Sequence, residues 1–249
     1  MNGAAVLECA RNGQADWRSF DAEEYRNQHY KFVRDDDRQI MGITRDFFSR
    51  AGVSGGRALD LGTGTNLYPA LSMMPFSRSL TLREYSPANL AWLAEHQRTG
   101  LDRGWDAFWD VFLESPAYRR TDPRAKFAAA KIQPGSVFTL PRHRFDLGTM
   151  FFVACSISSD PAEFELAIQR FVGALRPDAP FVAAFMRRSS GYEVAGRRFP
   201  AVPVDESDVH GCLSPLTTSL RVIPVESDMS HADGMIVATG RTRSSRRRD

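Results

Sequence analysis

The sequence predicts a doubly wound α/β fold on a mostly parallel sheet, with an added N-terminal helical lid. Three observations predict it. Apolar runs of strand length alternate with segments of helical periodicity, the pattern of strands joined by crossover helices. Residues 145–153 form a near-continuous apolar run, as a strand covered by helices on both faces does. Residues 57–61 carry Asp60 close to the strand end and lead into Gly62 and Gly64, which reads as a strand, a tight turn and a helix in succession.

The elements follow in chain order. Asp21 stands three residues before Glu24 and opens a helix carrying Tyr25, His29, Tyr30 and Val33. A second helix is expected over 40–50 and the first strand over 57–61. A helix through Leu67, Leu71 and Met74 returns along the sheet, and a second strand at 79–84 ends on Glu84. Ser86 and Pro87 supply an N-cap and a first helical residue, with Leu90, Leu93 and Ala94 on the buried face and Gly100 as the stop. Residues 101–132, with Trp105, Phe108, Trp109 and Phe112, read as helical connection, and a short strand is expected at 136–140. Beyond the 145–153 run, Asp160, Pro161 and Glu163 open a helix with Phe164, Ile168, Phe171, Val172 and Leu175 at helical spacing, stopped by Pro177. A strand at 180–186 follows, and 220–226 with 235–240 supply an antiparallel edge pair. The expected organisation is a helical lid at 1–52, one α/β domain at 53–240 with a hairpin near 187–204, and a disordered Arg-rich tail at 241–249.

A chain of 249 residues with 43% hydrophobic content can bury one sizeable core. Its formal charge of +2 is carried by the end of the chain: five arginines against Asp249 give 241–249 a net +4, so the remainder stands at −2. A near-neutral body does not predict a nucleic-acid partner, and Arg246-Arg247-Arg248 reads as a solvated terminus. Cys9, Cys155 and Cys212 lack metal-ligand spacing and leave an odd thiol after any pairing, which fits a reducing compartment. There is no apolar signal segment and no run of 18 apolar residues. The expectation is a cytoplasmic protein, monomer or homodimer, with neither metal nor membrane.

The glycine turn narrows the chemistry. A dinucleotide fingerprint needs a third glycine where this chain has Leu67. Asp60, at the strand end, would repel a pyrophosphate but attract the cationic methionine end of S-adenosylmethionine. Glu84, ending the next strand, suits a ribose diol. The competing reading has Asp60 capping the turn and the glycines serving geometry alone.

Four separated segments carry a closer likeness: Tyr25 and Tyr30 after Phe20-Asp21, the run Asp60-Leu-Gly-Thr-Gly-Thr-Asn-Leu-Tyr68, the run Glu84-Tyr-Ser-Pro-Ala-Asn89, and Arg188-Ser-Ser-Gly-Tyr192 leading to Phe199. Together they resemble the nicotinamide, phenylethanolamine and thioether S-adenosylmethionine-dependent methyltransferase family. The resemblance implies a class I, Rossmann-like fold with a seven-stranded sheet. It also implies that Tyr25 and Tyr30 close over the cofactor, with Asp60, Gly62, Thr63, Gly64, Asn66 and Tyr68 around its methionine half. Glu84 then meets the ribose, Tyr85 and Asn89 lie near the adenosine, and Ser136, Val137 and Phe151 are further cofactor-binding candidates, although the acid that the family places near Ser136 against the adenine amine is absent here. Residues five apart on a straight helix sit about 140° around its axis, so Tyr25 and Tyr30 reach one ligand only if the helix ends or bends between them.

The acceptor half departs from the pattern. Where amine-methylating relatives place an acid before the Ser-Ser-x-Tyr segment, this chain has Phe185, so the resemblance implies a flat, largely apolar acceptor met by Phe185, Ser189 and Tyr192. Methyl transfer from a sulfonium is an in-line displacement that depends on alignment and on excluding water. Catalytic candidates are therefore Tyr25, Tyr192 and, for an acceptor that must lose a proton, His29; His96, His143, His210 and His231 have no such placement. His29 as a packing residue and the Tyr192 hydroxyl as a satisfied hairpin group are the alternatives. Trp105, Trp109, Phe151, Phe152 and Phe185 line either a cavity or the core, and strand alternation allows one of Phe151 and Phe152 into the cavity. The function expected is methyl transfer to a small aromatic or amine-containing acceptor, giving S-adenosyl-L-homocysteine. The alternatives are a non-catalytic S-adenosylmethionine-binding regulator and a nucleic-acid or protein methyltransferase. Against the last stands the absence of the Asn/Asp-Pro-Pro-aromatic motif.

Overall fold

A computed structural model of the chain describes residues 10–228 and 232–243. Cys9, His231 and Arg246-Arg247-Arg248 lie outside them.

Asp21 accepts from the Glu24 N–H and opens α1 (Ala22–His29), which stops with Tyr30 as its C-cap. The helix thus ends between the two tyrosines, leaving Val33 beyond it. Next, α2 (Asp35–Arg50) begins five residues before the expected start, because Asp35, Asp36 and Asp37 fill its first turn, where acids favour the N-terminal dipole. It packs against α3 (Tyr68–Met73), which follows β1 (Gly56–Leu61). Strand β2 (Ser77–Glu84) leads to α4 (Pro87–Thr99), capped by Ser86 and ended at Gly100 with φ +95°. The buried face of α4 is Asn89, Trp92 and Leu93, while Ala94 is exposed and Leu90 half-buried. The buried stripe is thus turned from the expected one, onto Trp92 and away from Ala94.

Residues 101–130 are helical connection, as expected, built on α5 (Asp106–Leu113) and α6 (Pro123–Ala128). Trp105, Phe108 and Phe112 are fully buried there, and Trp109 is 8% exposed. The strand expected at 136–140 is instead β3 (Lys131–Pro134). Gly135, at φ +151°, turns the chain, and Ser136 accepts from the Phe138 N–H to start a 3-10 turn at Val137–Thr139.

Strand β4 (Leu147–Phe151) is shorter than the apolar run that announced it. Asp160 caps α7 (Pro161–Ala174), and β5 (Pro180–Met186) coincides with the expected strand. The hairpin is β6 (Tyr192–Val194) with β7 (Arg197–Phe199). An unanticipated α8 (Glu206–Leu213) precedes the antiparallel pair β8 (Thr217–Val225) and β9 (Met235–Thr242).

The seven-stranded sheet runs β3-β2-β1-β4-β5-β9-β8, with β9 alone reversed, antiparallel to both β5 and β8. Every residue of β4 and β5 is buried, so these two strands form the centre of the core. Chain order reverses between β1 and β4, and in open α/β sheets such a reversal leaves a crevice at the carboxyl ends of the strands. Among the described residues no helix is long and apolar enough to cross a membrane, and no cluster of His, Cys, Asp and Glu could hold a metal ion.

Candidate functional site

Strand β1 delivers its carboxyl end into a turn that only glycine can make. Gly62 and Gly64 have φ of +65° and +54°. A Cβ on Gly62 would fall 2.3 Å from Val153 Cγ2. Glu84, ending the neighbouring strand, fixes this turn. One of its oxygens accepts from the Gly64 N–H at 2.8 Å, and the other accepts from Tyr85 and Ser86, both at 2.7 Å. Burial pushes the Glu84 carboxyl above its usual range, while the N–H groups of Ser86, Gly64 and Tyr85 pull it back.

A cavity of about 760 Å³ opens over this turn at the carboxyl ends of β1, β2 and β4. Three polar residues on its wall carry buried atoms without a hydrogen-bond partner in the protein: Thr65 Oγ1, Asn66 Nδ2 and Asn89 Oδ1. Buried polar atoms are nearly always paired, so a wall that leaves three unpaired is shaped for a polar occupant. Gly135, Ser136 and Val137 border the cavity from the turn after β3, and half-exposed Tyr85 stands at its rim. Arg83 ties that turn to β2, its guanidinium donating to Thr139 Oγ1 at 3.1 Å.

The opposite side is closed by the N-terminal segment. Asn12, Trp17 and Phe20 line the cavity. The Trp17 indole N–H donates to Asn12 Oδ1 at 3.0 Å, and the Ser86 hydroxyl donates to the Trp17 carbonyl at 3.0 Å. The hairpin meets this lid through stacked rings. Phe199 lies 5.5 Å from Trp17 and 5.5 Å from Tyr192 between ring centroids, and Tyr192 lies 6.2 Å from Tyr25. Burial pushes the Tyr25 hydroxyl up to about 12, and pushes Tyr30 and Tyr192 well above the ordinary phenol range. All three remain protonated at neutral pH, and the Tyr192 hydroxyl donates to the Ser156 carbonyl at 3.4 Å.

A second chamber of about 460 Å³ adjoins the first and shares Tyr25, Tyr30, Phe152, Ser156 and Tyr192 with it. It extends past His29, Arg34 and Asp37 to Met186, Ser189 and Met235. His29 lies 4.5 Å from Tyr25 between ring centroids, tilted by 51°, and lines this chamber and not the first.

Of the residues singled out in the sequence, Tyr25, Tyr30, Gly62, Thr63, Gly64, Asn66, Glu84, Tyr85, Asn89, Ser136, Val137, Phe151 and Tyr192 converge on the first cavity, and His29 and Ser189 on the second. Asp60 does not line either. It lies beneath the turn, accepting from the Thr149 hydroxyl at 2.7 Å with its other oxygen unpaired, and burial raises its carboxyl to about 7. Tyr68 is fully buried behind the wall with its hydroxyl near Asp37. Phe185 is a correction: its ring is fully buried against Phe164 of α7, 5.8 Å between centroids, and touches neither cavity. Phe151 and Phe152 are a second correction. Both line the first cavity, because β4 ends at Phe151 and Phe152 takes φ +57°, which breaks strand alternation.

Of the other described histidines, His210 is exposed on α8. His96 stacks on Trp92, and His143 contacts the Leu175 carbonyl. Sequence reasoning missed Asn12, Trp17, Val153, Ser156, Ile157 and Asp37. The one available signal was Trp17, a large ring three residues before Phe20 in the expected lid.

No protein-family model matches the sequence, and no curated protein does. Solved structures match in fold. The N-methyltransferase NodS from Bradyrhizobium japonicum WM9, in complex with S-adenosylhomocysteine, is 15% identical with a TM-score of 0.54 and covers 84% of this chain and 90% of its own. The 1,6-didemethyltoxoflavin-N1-methyltransferase of Burkholderia thailandensis is 16% identical with a TM-score of 0.54, covering 84% of this chain and 80% of its own. The [4+2]-cyclase SpnF is 14% identical with a TM-score of 0.57, covering 84% and 81%. The chain therefore has the class I, Rossmann-like methyltransferase fold, which in SpnF carries a cyclase.

Proposed function

We propose that this chain binds S-adenosyl-L-methionine in the first cavity and transfers its methyl group to a small aromatic or amine-bearing acceptor in the second. The observation that carries the reading is the glycine turn bracketed by Glu84 and by the unpaired Thr65, Asn66 and Asn89 atoms, a set of partners suited to a ribose diol and an amino-acid end. The aligned positions of Tyr25, Tyr30, Tyr85 and Tyr192 support the narrower likeness to the nicotinamide, phenylethanolamine and thioether methyltransferases. The two structural neighbours named above with S-adenosylhomocysteine in their complexes support the cofactor.

When bound, the cofactor supplies an activated methyl on a sulfonium; the acceptor's lone pair forms the new bond while the sulfur keeps the pair of the old one. The protein's work is placement. Glu84 and the glycine turn hold the adenosine end, and Asn12, Trp17 and Phe20 cover it. Tyr25, Tyr30 and Tyr192 stand where the two cavities join, and their rings bound the passage along which the acceptor meets the methyl group. Buried aromatic walls exclude water, which favours displacement by the acceptor over hydrolysis. Asp60, beneath the turn, adds negative potential under the methionine end when ionised.

Calorimetric titration with S-adenosylmethionine and S-adenosylhomocysteine tests the first half, and a gain of one methylene in the mass of a panel of aromatic acceptors tests the second. Absence of binding to either cofactor form overturns the reading. Binding with no turnover on any acceptor supports the alternative of a regulatory binder.

A further inference from the structure

The second chamber ends on the first turn of α2, where three consecutive acids are placed very differently. Asp35 is exposed. Asp36 takes the Arg34 guanidinium and the Ser227 hydroxyl. Asp37 is 2% exposed and lines the chamber, and among the described residues no arginine or lysine forms an ion pair with it. Its carboxyl reaches back to the Arg34 backbone N–H and lies beside the Tyr68 hydroxyl, which has no aligned hydrogen-bond partner. Burial, with Asp36 adding and Arg34 opposing, raises this carboxyl to about 7. A buried carboxyl without a cation is costly in a folded protein unless a partner arrives to meet it.

The rest of the chamber offers apolar and thioether surface from Phe152, Met186 and Met235. We propose that Asp37 anchors the acceptor: its carboxylate receives the ammonium or N–H of a small arylalkylamine whose apolar body lies on Phe152, Met186 and Met235. The shared rim of Tyr25, Tyr30 and Tyr192 puts this ligand next to the first cavity. The assignment rests on the methyl-transfer reading and deepens it. It also moves the acidic anchor that the resemblance places on β5, where this chain has Phe185, to the opposite wall, on α2.

The experiment uses the full chain loaded with S-adenosylhomocysteine and paired probes: benzylamine, phenethylamine and tryptamine against benzyl alcohol, 2-phenylethanol and tryptophol. Affinities are read by calorimetry at pH 6 and pH 8. The expected result is that amines bind at least about tenfold tighter than their alcohols at pH 8. A carboxyl at about 7 is roughly one-tenth ionised at pH 6 and nine-tenths at pH 8, so this advantage shrinks about tenfold at the lower pH. Among the described residues, the other titratable or charged groups facing the site are Arg34, Asp36, His29, Tyr25, Tyr30, Tyr68 and Tyr192.

Asp37→Asn is expected to erase the amine advantage and its pH dependence while leaving S-adenosylhomocysteine affinity within about threefold, which also reports a folded protein. His29→Gln should keep the rise from pH 6 to pH 8. An amine preference that survives Asp37→Asn, alcohols binding as well as amines, or amines failing to bind the loaded wild type each overturn the anchor. If Asp37→Asn does not fold, the wild-type pH comparison decides alone. If S-adenosylhomocysteine does not bind but amines still prefer wild type to Asp37→Asn, the anchor stands and the cofactor reading falls.

Discussion

Replacing Glu84 with glutamine should damage both the turn and the ligand site, by amounts that follow from the geometry. The wild-type carboxylate satisfies three backbone N–H groups with its two oxygens. A glutamine has one carbonyl oxygen, and its amide NH₂ cannot accept. The better orientation keeps Tyr85 and Ser86 and turns the NH₂ toward the Gly64 N–H. One buried donor is then left facing another donor, at about 1–3 kcal/mol. The same change removes the charge that would accept from two ribose hydroxyls, and hydrogen bonds to charged groups are worth about 1.5–3 kcal/mol each. Allowing for non-additivity, nucleoside affinity should drop by about 2–4 kcal/mol, or roughly 30- to 1000-fold. Calorimetry with S-adenosylhomocysteine measures the total. Adenosine against 2′-deoxyadenosine isolates the diol, and the wild-type preference for adenosine should vanish in Glu84→Gln. Affinity within threefold of wild type, or an unchanged preference for adenosine, refutes the assignment of Glu84 to the ribose.

Gly62→Ala should lower stability by more than the roughly 1–2 kcal/mol that a left-handed φ costs an alanine, because its Cβ would also meet Val153. Adding Val153→Ala should restore part of the loss, which a thermal denaturation series reads directly. Asp60→Asn should change the pH dependence of stability. Burial raises the Asp60 carboxyl from 3.8 to about 7, so the folded state holds a proton that the unfolded state releases; stability from this group is present below about pH 4 and is lost as pH rises to about 7. On the order of 4 kcal/mol is at stake, and the difference between Asp60→Asn and wild type in urea unfolding should move in the mutant's favour from pH 4 to pH 8 and then level off. Phe185→Leu should cost about 1 kcal/mol and leave ligand affinities unchanged, whereas Phe185→Asp should fail to fold because it buries an unpaired charge against Phe164. Improved amine binding by Phe185→Asp, measured by calorimetry, would show that position 185 does reach the acceptor.

The wall of the first cavity was legible because its pattern is local in sequence. Gly62 and Gly64 announce a turn that needs positive φ, and Glu84 ends the neighbouring strand in register with it, Asp60 pairing with Leu82 across the sheet. Helix caps were equally local: Asp21, Ser86 and Asp160 sit where their hydrogen bonds are made within three residues. The errors fall where tertiary packing overrides local pattern. Ala94 was assigned to a buried face that Trp92 occupies. The apolar run at 145–153 suggested one straight strand, yet Phe152 leaves it with a left-handed φ. The strand expected at 136–140 gives way to a 3-10 turn because Gly135 and Ser136 bend the chain there.

The second chamber was not legible because its parts are far apart in sequence and individually bland. Met186 and Met235 meet only because β9 returns antiparallel beside β5, pairing those two residues in register. Asp37 reads in sequence as the third acid of a helix N-terminus, a role that helix electrostatics alone explains. Its distinction from Asp36 depends on which carboxylate Arg34 reaches, and that is fixed by Ser227, almost two hundred residues away. A change of fold position for the acidic residue is therefore invisible to any comparison made strand by strand. Phe185 signals a lost anchor when β5 is read alone, and a filled core when Phe164 is set beside it. The charge on this wall is then set on α2: Arg34 and Ser227 hold Asp36 and leave Asp37 as the carboxyl that lines the chamber, so on the anchor proposed above a change at Arg34 or Ser227 should alter amine preference without touching the chamber's apolar walls.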